Sequence, residues 1–285
     1  MSDRGRLLVD CPDGPGIVAA VSAFLAERDG NIVEADQHAA DDGRLFMRMA
    51  FDMPGLETRL DAVRADFHSS VATRFDMQWR LVAAAHRTPL AILASREPHV
   101  LMEILWRWQR GELDADLAMV ISNHPDHREV VEAAGVEYHH VPSVPGDRRA
   151  SESRILELLR GRCELAVLAR YMQILTGGFL TEAGMPFINI HHSFLPAFVG
   201  AKPYRQAYDR GVKIVGATAH YVTEELDGGP IIEQDVVRID HRASVADIER
   251  LGADLERSVL LRAVRWHLAD RVLRHGPKTV VFHGH

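Results

Sequence analysis

The chain has 285 residues, with 33 Lys and Arg against 40 Asp and Glu, a formal charge of −7 with histidine neutral. That balance argues against a general nucleic-acid coat. A composition that is 47% hydrophobic and 26% charged excludes disordered and fibrous classes, and the length favours two domains.

The N-terminus leads into only a brief apolar stretch at residues 7–9, with no signal-peptide core, and no apolar run approaches a membrane span. Cys11 and Cys163 each lack a nearby second cysteine that would suggest a redox or zinc pair. A reduced, cytoplasmic setting is the expectation.

Residues 7–9 read as a short strand ending in the turn cluster Asp10-Cys11-Pro12-Asp13-Gly14-Pro15-Gly16. Ile17, Val18, Val21, Phe24 and Leu25 then place an apolar stripe on one face of a helix closed by Gly30-Asn31. Strands at 32–38 and 44–53 flank Asp41-Asp42-Gly43, and Asp-Gly between two such runs predicts a hairpin. A second amphipathic helix around Leu60, Val63 and Phe67 and a strand at 75–82 complete a βαββαβ order. Over about the first 80 residues this order resembles the ferredoxin-like ACT domain, which implies pairing with a second copy and an amino-acid effector. By that resemblance Asp10, Asp13, Gly14, Gly16 and Asn31 are the candidate effector-binding residues. Glycines at strand-to-helix turns equally serve backbone geometry alone. The first domain is expected over residues 1–84.

From residue 88 the pattern changes. Strands at 90–94, 117–122, 136–141, 165–169 and 187–191 alternate with helices at 98–108, 129–134 and 155–159, the signature of a mostly parallel sheet covered on both faces. A long helix at 245–274 and a short strand at 279–282 close the chain, and the charges from Asp247 to Arg262 read as helix surface. This second domain is expected over residues 88–285.

Active sites in such sheets gather at the carboxyl ends of the strands, which directs attention to Asn189-Ile190-His191-His192-Ser193-Phe194-Leu195-Pro196. Alternation along a strand puts Asn189 and His191 on one face and His192 on the other, so a two-histidine metal site is disfavoured and no metal is expected. Further on, Thr218-Ala219-His220 runs through Leu226-Asp227-Gly228-Gly229-Pro230 into another strand, leaving Asp227 on the connecting loop. An amide donor, an imidazole and a carboxylate meet the needs of attack on a formyl carbonyl: oxyanion stabilisation, proton transfer and orientation of the imidazole.

In combination, Asn189-x-His191-x-Ser193-x-Leu195-Pro196, then His220 and Leu226-Asp227-Gly228-Gly229-Pro230-Ile231, resemble the formyltransferases that use 10-formyltetrahydrofolate, over residues 88–283. The resemblance implies a Rossmann-like fold, catalytic places for Asn189, His191 and Asp227, and a folate-binding turn at Arg170, Tyr171, Met172, Gln173, Ile174 and Leu175. His220 is a candidate partner of Asp227, with a satisfied core histidine as the plain alternative.

Glycinamide ribonucleotide formyltransferases carry a Gly-rich phosphate loop where this chain has Ala94-Ser95-Arg96-Glu97-Pro98-His99, without glycine and with an acidic residue, so a nucleotide acceptor is disfavoured. An ACT-like domain in front of a formyltransferase domain resembles the formyltetrahydrofolate deformylase family, as do His191-His192-Ser193-Phe194-Leu195-Pro196-Ala197-Phe198 and Gly200-Ala201-Lys202-Pro203-Tyr204-x-Gln206-Ala207-Tyr208. That resemblance implies hydrolysis of 10-formyltetrahydrofolate to tetrahydrofolate and formate, feeding purine synthesis or recycling folate, with no cofactor beyond the folate substrate. The expected partners are folate, water, an ACT effector and further copies of the chain, with neither nucleic acid nor membrane. Which of His191 and Asp227 takes the first proton stays open, as do two other functions: transfer to a small amine, and an ACT-type sensor with an inactive second domain.

Overall fold

The computed structural model describes residues 3–143, 148–197 and 203–283. Phe198, Gly200, Ala201 and Lys202 of the motif quoted above lie outside the described residues. The chain forms two compact units: Met1–Arg87 with Asp270–His275 and Val280–His285, and Thr88–Ala269 with Gly276–Thr279.

The first unit runs β1 (Arg4–Pro12), α1 (Ile17–Ala26), β2 (Asn31–Ala39), β3 (Arg44–Asp52), α2 (Leu56–Phe67), β4 (Gln78–Ala83). Its antiparallel sheet has the order β2-β3-β1-β4. One face of β1, with Leu7, Val9 and Cys11, packs on Val21, Phe24 and Leu25 of α1 and Val63 and Phe67 of α2. Alternation sends Leu8 and Phe46 to the other face, where Leu273 and Phe282 from the end of the chain cover them. Burial on both faces explains the near-continuous apolar run of β3, Leu-Phe-Met-Arg-Met-Ala-Phe. The last strand begins at Gln78 and not at 75, because residues 68–75 continue in helical turns that bury Val71 and Ala72.

The second unit runs β5 (Thr88–Ala94), α3 (His99–Gln109), β6 (Ala115–Ser122), α4 (Arg128–Ala133), β7 (Glu137–His140), α5 (Arg148–Leu159), β8 (Leu165–Ala169), α6 (Gly177–Ala183), β9 (Phe187–His191), α7 (Pro203–Arg210), β10 (Ile214–Tyr221), β11 (Ile231–Arg238), α8 (Val245–Leu268). The sheet order is β11-β10-β9-β8-β5-β6-β7. From β7 to β9 it is parallel, and β10 and β11 are added antiparallel. Strands β5 and β8 are buried at nearly every position, as a sheet covered on both faces requires.

Helix α8 ends at Leu268 and not at 274, and a hairpin follows, β12 (Val272–His275) and β13 (Lys278–Val281). Asp270 adopts φ 53°, the left-handed conformation that stops a helix. No helix among the described residues is long and apolar enough to cross a membrane.

Candidate active site

The carboxyl ends of β8 and β9 and the β10–β11 connection enclose a cavity of about 280 Å³. Its lining includes every catalytic and substrate-binding candidate from the sequence: Arg170, Tyr171, Met172, Gln173, Ile174, Leu175, Asn189, His191, His220 and Asp227. Met172, Ile174 and Leu226 are more than half exposed there and offer an apolar margin.

Asn189 and His191 lie two residues apart on β9 and so share a face. In the antiparallel β9–β10 ladder, His220 stands opposite Asn189 and Thr218 opposite His191. Cross-strand pairing brings the Asn189 Nδ2 within 3.3 Å of His220 Nε2. His220 Nδ1 lies 3.0 Å from the Tyr221 carbonyl oxygen and donates to it, which leaves Nε2 as an acceptor. The Asn189 amide therefore presents its NH₂ to His220, with the second N–H directed elsewhere. Burial lowers the His220 pKa and keeps this ring neutral, as the arrangement requires.

Asp227 sits in the β10–β11 connection with φ 55°. Its Oδ1 is 3.2 Å from His191 Nδ1 and 3.8 Å from His220 Nε2. The hydrogen bond from His191 holds the Asp227 carboxyl below the ordinary carboxylate range, against the upward push of burial, so Asp227 is ionised at neutral pH. His191 is 5% exposed, and its Nε2 is buried without a hydrogen-bond partner. The connection is anchored where Tyr221 N donates to the Pro230 carbonyl at 2.9 Å. Gly229 passes so close to the Tyr221 carbonyl oxygen that a Cβ there would overlap it. The turn after β9 is held by Thr218, whose hydroxyl donates to the Ser193 carbonyl at 2.8 Å and accepts from Leu195 N at 3.1 Å.

His192 differs from the expectation. Strand β9 ends at His191, so alternation stops there, and the His192 ring lies 5.2 Å from that of His191 and lines the same cavity. Burial first, then the charge of Arg170, pushes the His192 pKa down to about 4. Glu256 also departs from the helix-surface reading. It is 1% exposed and lies with Gly252, Val259, Leu260 and Ala263 on the buried face of α8. That i, i+3, i+4 stripe was the signal that could have found it. Among the described residues no group of three or more His, Cys, Asp or Glu stands ready to hold a metal ion.

In the first unit, the Asp10 carboxylate accepts from Arg44 Nε at 2.7 Å. Asp13, Gly14, Gly16 and Asn31 are exposed, and Gly16 takes φ 90° where α1 begins.

The family models that match are the formyl transferase over residues 89–264 and the ACT domain over residues 5–68. A formyltetrahydrofolate deformylase of Mycobacterium tuberculosis is 54% identical over 99% of this chain and 91% of its own length. The crystal structure of a formyltetrahydrofolate deformylase from Pseudomonas syringae pv. tomato superposes with a TM-score of 0.94 at 49% identity, over 98% of this chain and 94% of that one. A glycinamide ribonucleotide transformylase from Symbiobacterium toebii matches with a TM-score of 0.65 at 32% identity, over 70% of this chain and 95% of that one.

Proposed function

The chain belongs to the formyltetrahydrofolate deformylase family, and from that premise we propose that it hydrolyses 10-formyltetrahydrofolate to tetrahydrofolate and formate. The observation that carries the reading is the His191–Asp227 pair at 3.2 Å, in one cavity with an Asn189 amide oriented by His220.

The folate lies along Arg170, Tyr171, Met172, Gln173, Ile174 and Leu175, with its formyl carbon toward Asn189 and His191. A carboxylate held below its ordinary range is a weak base but a good partner for an imidazolium, so Asp227 orients His191 through Nδ1 and the first proton goes to Nε2. As that proton leaves, the water oxygen bonds to the formyl carbon. The free N–H of Asn189 and the protonated His191 stabilise the oxyanion, an effect worth roughly 3 to 4 kcal/mol per donor in related chemistry. The C–N bond then breaks, the proton on His191 passes to the folate nitrogen, and the formic acid released gives up its remaining proton to solvent and leaves as formate. His220 acts by fixing the Asn189 amide.

The cytoplasm is part of the same reading, supported by the free thiols of Cys11 and Cys163. The ACT match supports a homo-oligomer formed through the first unit, and an amino-acid effector at Asp10, Asp13, Gly14, Gly16 and Asn31. Light scattering tests the first, and isothermal titration with glycine and methionine the second.

The decisive experiment incubates the purified protein with 10-formyltetrahydrofolate and no amine. Equal, catalytic release of tetrahydrofolate and formate is expected; no release would reject hydrolysis.

A further inference from the structure

The mechanism gives no role to Glu256, which lies in a buried charged cluster with Arg170 of the folate-binding stretch. Glu256 is surrounded by three partners from three different elements: His99 Nε2 at 2.8 Å, the Tyr204 hydroxyl at 2.6 Å and Arg170 Nε at 3.6 Å. Burial pushes the Glu256 carboxyl up, but His99, Arg170 and Tyr204 together outweigh it and hold the group ionised. Two backbone features accommodate the cluster. Arg170 takes φ 59°, and Gly252 leaves room for the Tyr204 ring, which a Cβ at that position would overlap. The cluster also backs the reacting centre, since the Tyr204 ring is 5.8 Å from that of His192, which lies against His191.

Its place in the fold gives it meaning. The parallel part of the sheet grows outward from β5 to β6 and β7, then reverses to β8 and β9 on the other side of β5. In such sheets the crevice outside the carboxyl ends of the strands at the reversal is where a ligand binds. Here the first residue of α3, His99, and the connection after β8, through Arg170, meet across that crevice, both on Glu256. The same fold occurs in a protein named as a glycinamide ribonucleotide transformylase, so the fold by itself does not select water.

We propose that the His99–Glu256–Tyr204–Arg170 cluster sets acceptor specificity, filling the crevice through which an amine would approach the formyl carbon and leaving water as the nucleophile. This rests on the hydrolytic reading above. An amine entering there has to part Arg170 from a carboxylate that is 1% exposed and leave that charge buried. Water needs no such space.

The test uses glycinamide as the amine probe, with 10-formyltetrahydrofolate, at a pH where the amine is largely free base. Attack by its nitrogen forms N-formylglycinamide, breaks the bond to the folate nitrogen and returns the proton to that nitrogen. Mass spectrometry reads the ratio of N-formylglycinamide to formate, a partition that a merely structural role does not move. The parent protein should give formate alone above the uncatalysed background. Arg170→Gly suits the positive φ, and Arg170→Gly with Glu256→Gln should raise the ratio at least tenfold. Tyr204→Phe, which keeps both charges, the ring and the folate-binding stretch, should raise it less and carries the same test if the double variant does not fold or turns over no folate. An unchanged ratio in folded variants of a hydrolysing parent overturns the cluster's role alone. No formate from the parent overturns the hydrolytic reading instead.

Discussion

Asp227 holds an ionised carboxylate, a positive φ and a bond to His191 in one residue. Asn keeps its size and tolerates the left-handed conformation, so Asp227→Asn isolates the charge. A positioned acid–base group contributes about 10² to 10⁴ in rate, so the variant should lose about 10³-fold in kcat with an unchanged circular dichroism spectrum. Turnover within tenfold of the parent would remove the carboxylate from the mechanism. His192 carries a different prediction. Its pKa of about 4 lies below the value of about 6.5 in an unfolded chain. Between those values the unfolded chain binds the extra proton. Stability therefore falls as pH drops from about 6.5 towards 4, by on the order of 3 kcal/mol for the whole shift. His192→Gln removes that contribution, so urea curves at pH 7 and pH 4 should show the variant gaining about that much on the parent at low pH. A pH-independent difference would mean that the ring titrates normally. The shared face of Asn189 and His191 was legible from strand alternation, whereas the 170–175 stretch was reached only through the resemblance to the formyltransferases. His192 was not legible, because where a strand stops is decided by the hydrogen bonds of Thr218, 26 positions later in the chain.

The β10–β11 connection does for Asp227 what β9 does for Asn189 and His191. Its geometry depends on Gly229, packed against the Tyr221 carbonyl, and on the bond from Tyr221 N to Pro230. Gly229→Ala should cost about 2 kcal/mol or more, in line with other backbone clashes, and should lose turnover with it because the loop that aims Asp227 must shift. Asp227→Asn loses turnover alone. Urea denaturation and kcat measured on both variants separate the two effects, and full stability in Gly229→Ala would show that the turn has room to move. Most of the order of strands and helices was readable from apolar runs because it depends on local periodicity, but the short α6 and α7, with few buried apolar residues, were not read. Nor was the end of α8. Val272 and Leu273 extend the apolar pattern, while the stop comes from the left-handed Asp270, whose side chain is held by residues more than 180 positions away.

At the scale of the molecule, the first unit is discontinuous in sequence: the chain leaves it at Arg87 and returns at Asp270. The expectation drew the second domain to residue 285, whereas Asp270–His275 and Val280–His285 cluster with the first unit. No local signal marks that return. It depends on the long-range pairing of Leu273 and Phe282 with Leu8 and Phe46, and on Asp270. The Asp270 carboxylate is 3% exposed, lies 3.1 Å from Arg6 Nε and pairs with Arg80, while its backbone carbonyl accepts from the buried Arg48 at 2.9 Å. Removing one partner of a buried ionic network costs about 3 to 5 kcal/mol, because the remaining charges stay buried. Asp270→Ala should therefore destabilise the first unit by about 3 kcal/mol, although the substitution lies outside its βαββαβ segment. Hydrogen exchange followed by mass spectrometry checks this directly. Peptides from β1 and β3 should lose protection in the variant, while peptides from β5 and β8 keep theirs. Equal loss in both sets would mean that the two units unfold as one, and no loss in β1 and β3 would mean that the returning segment covers the sheet without stabilising it.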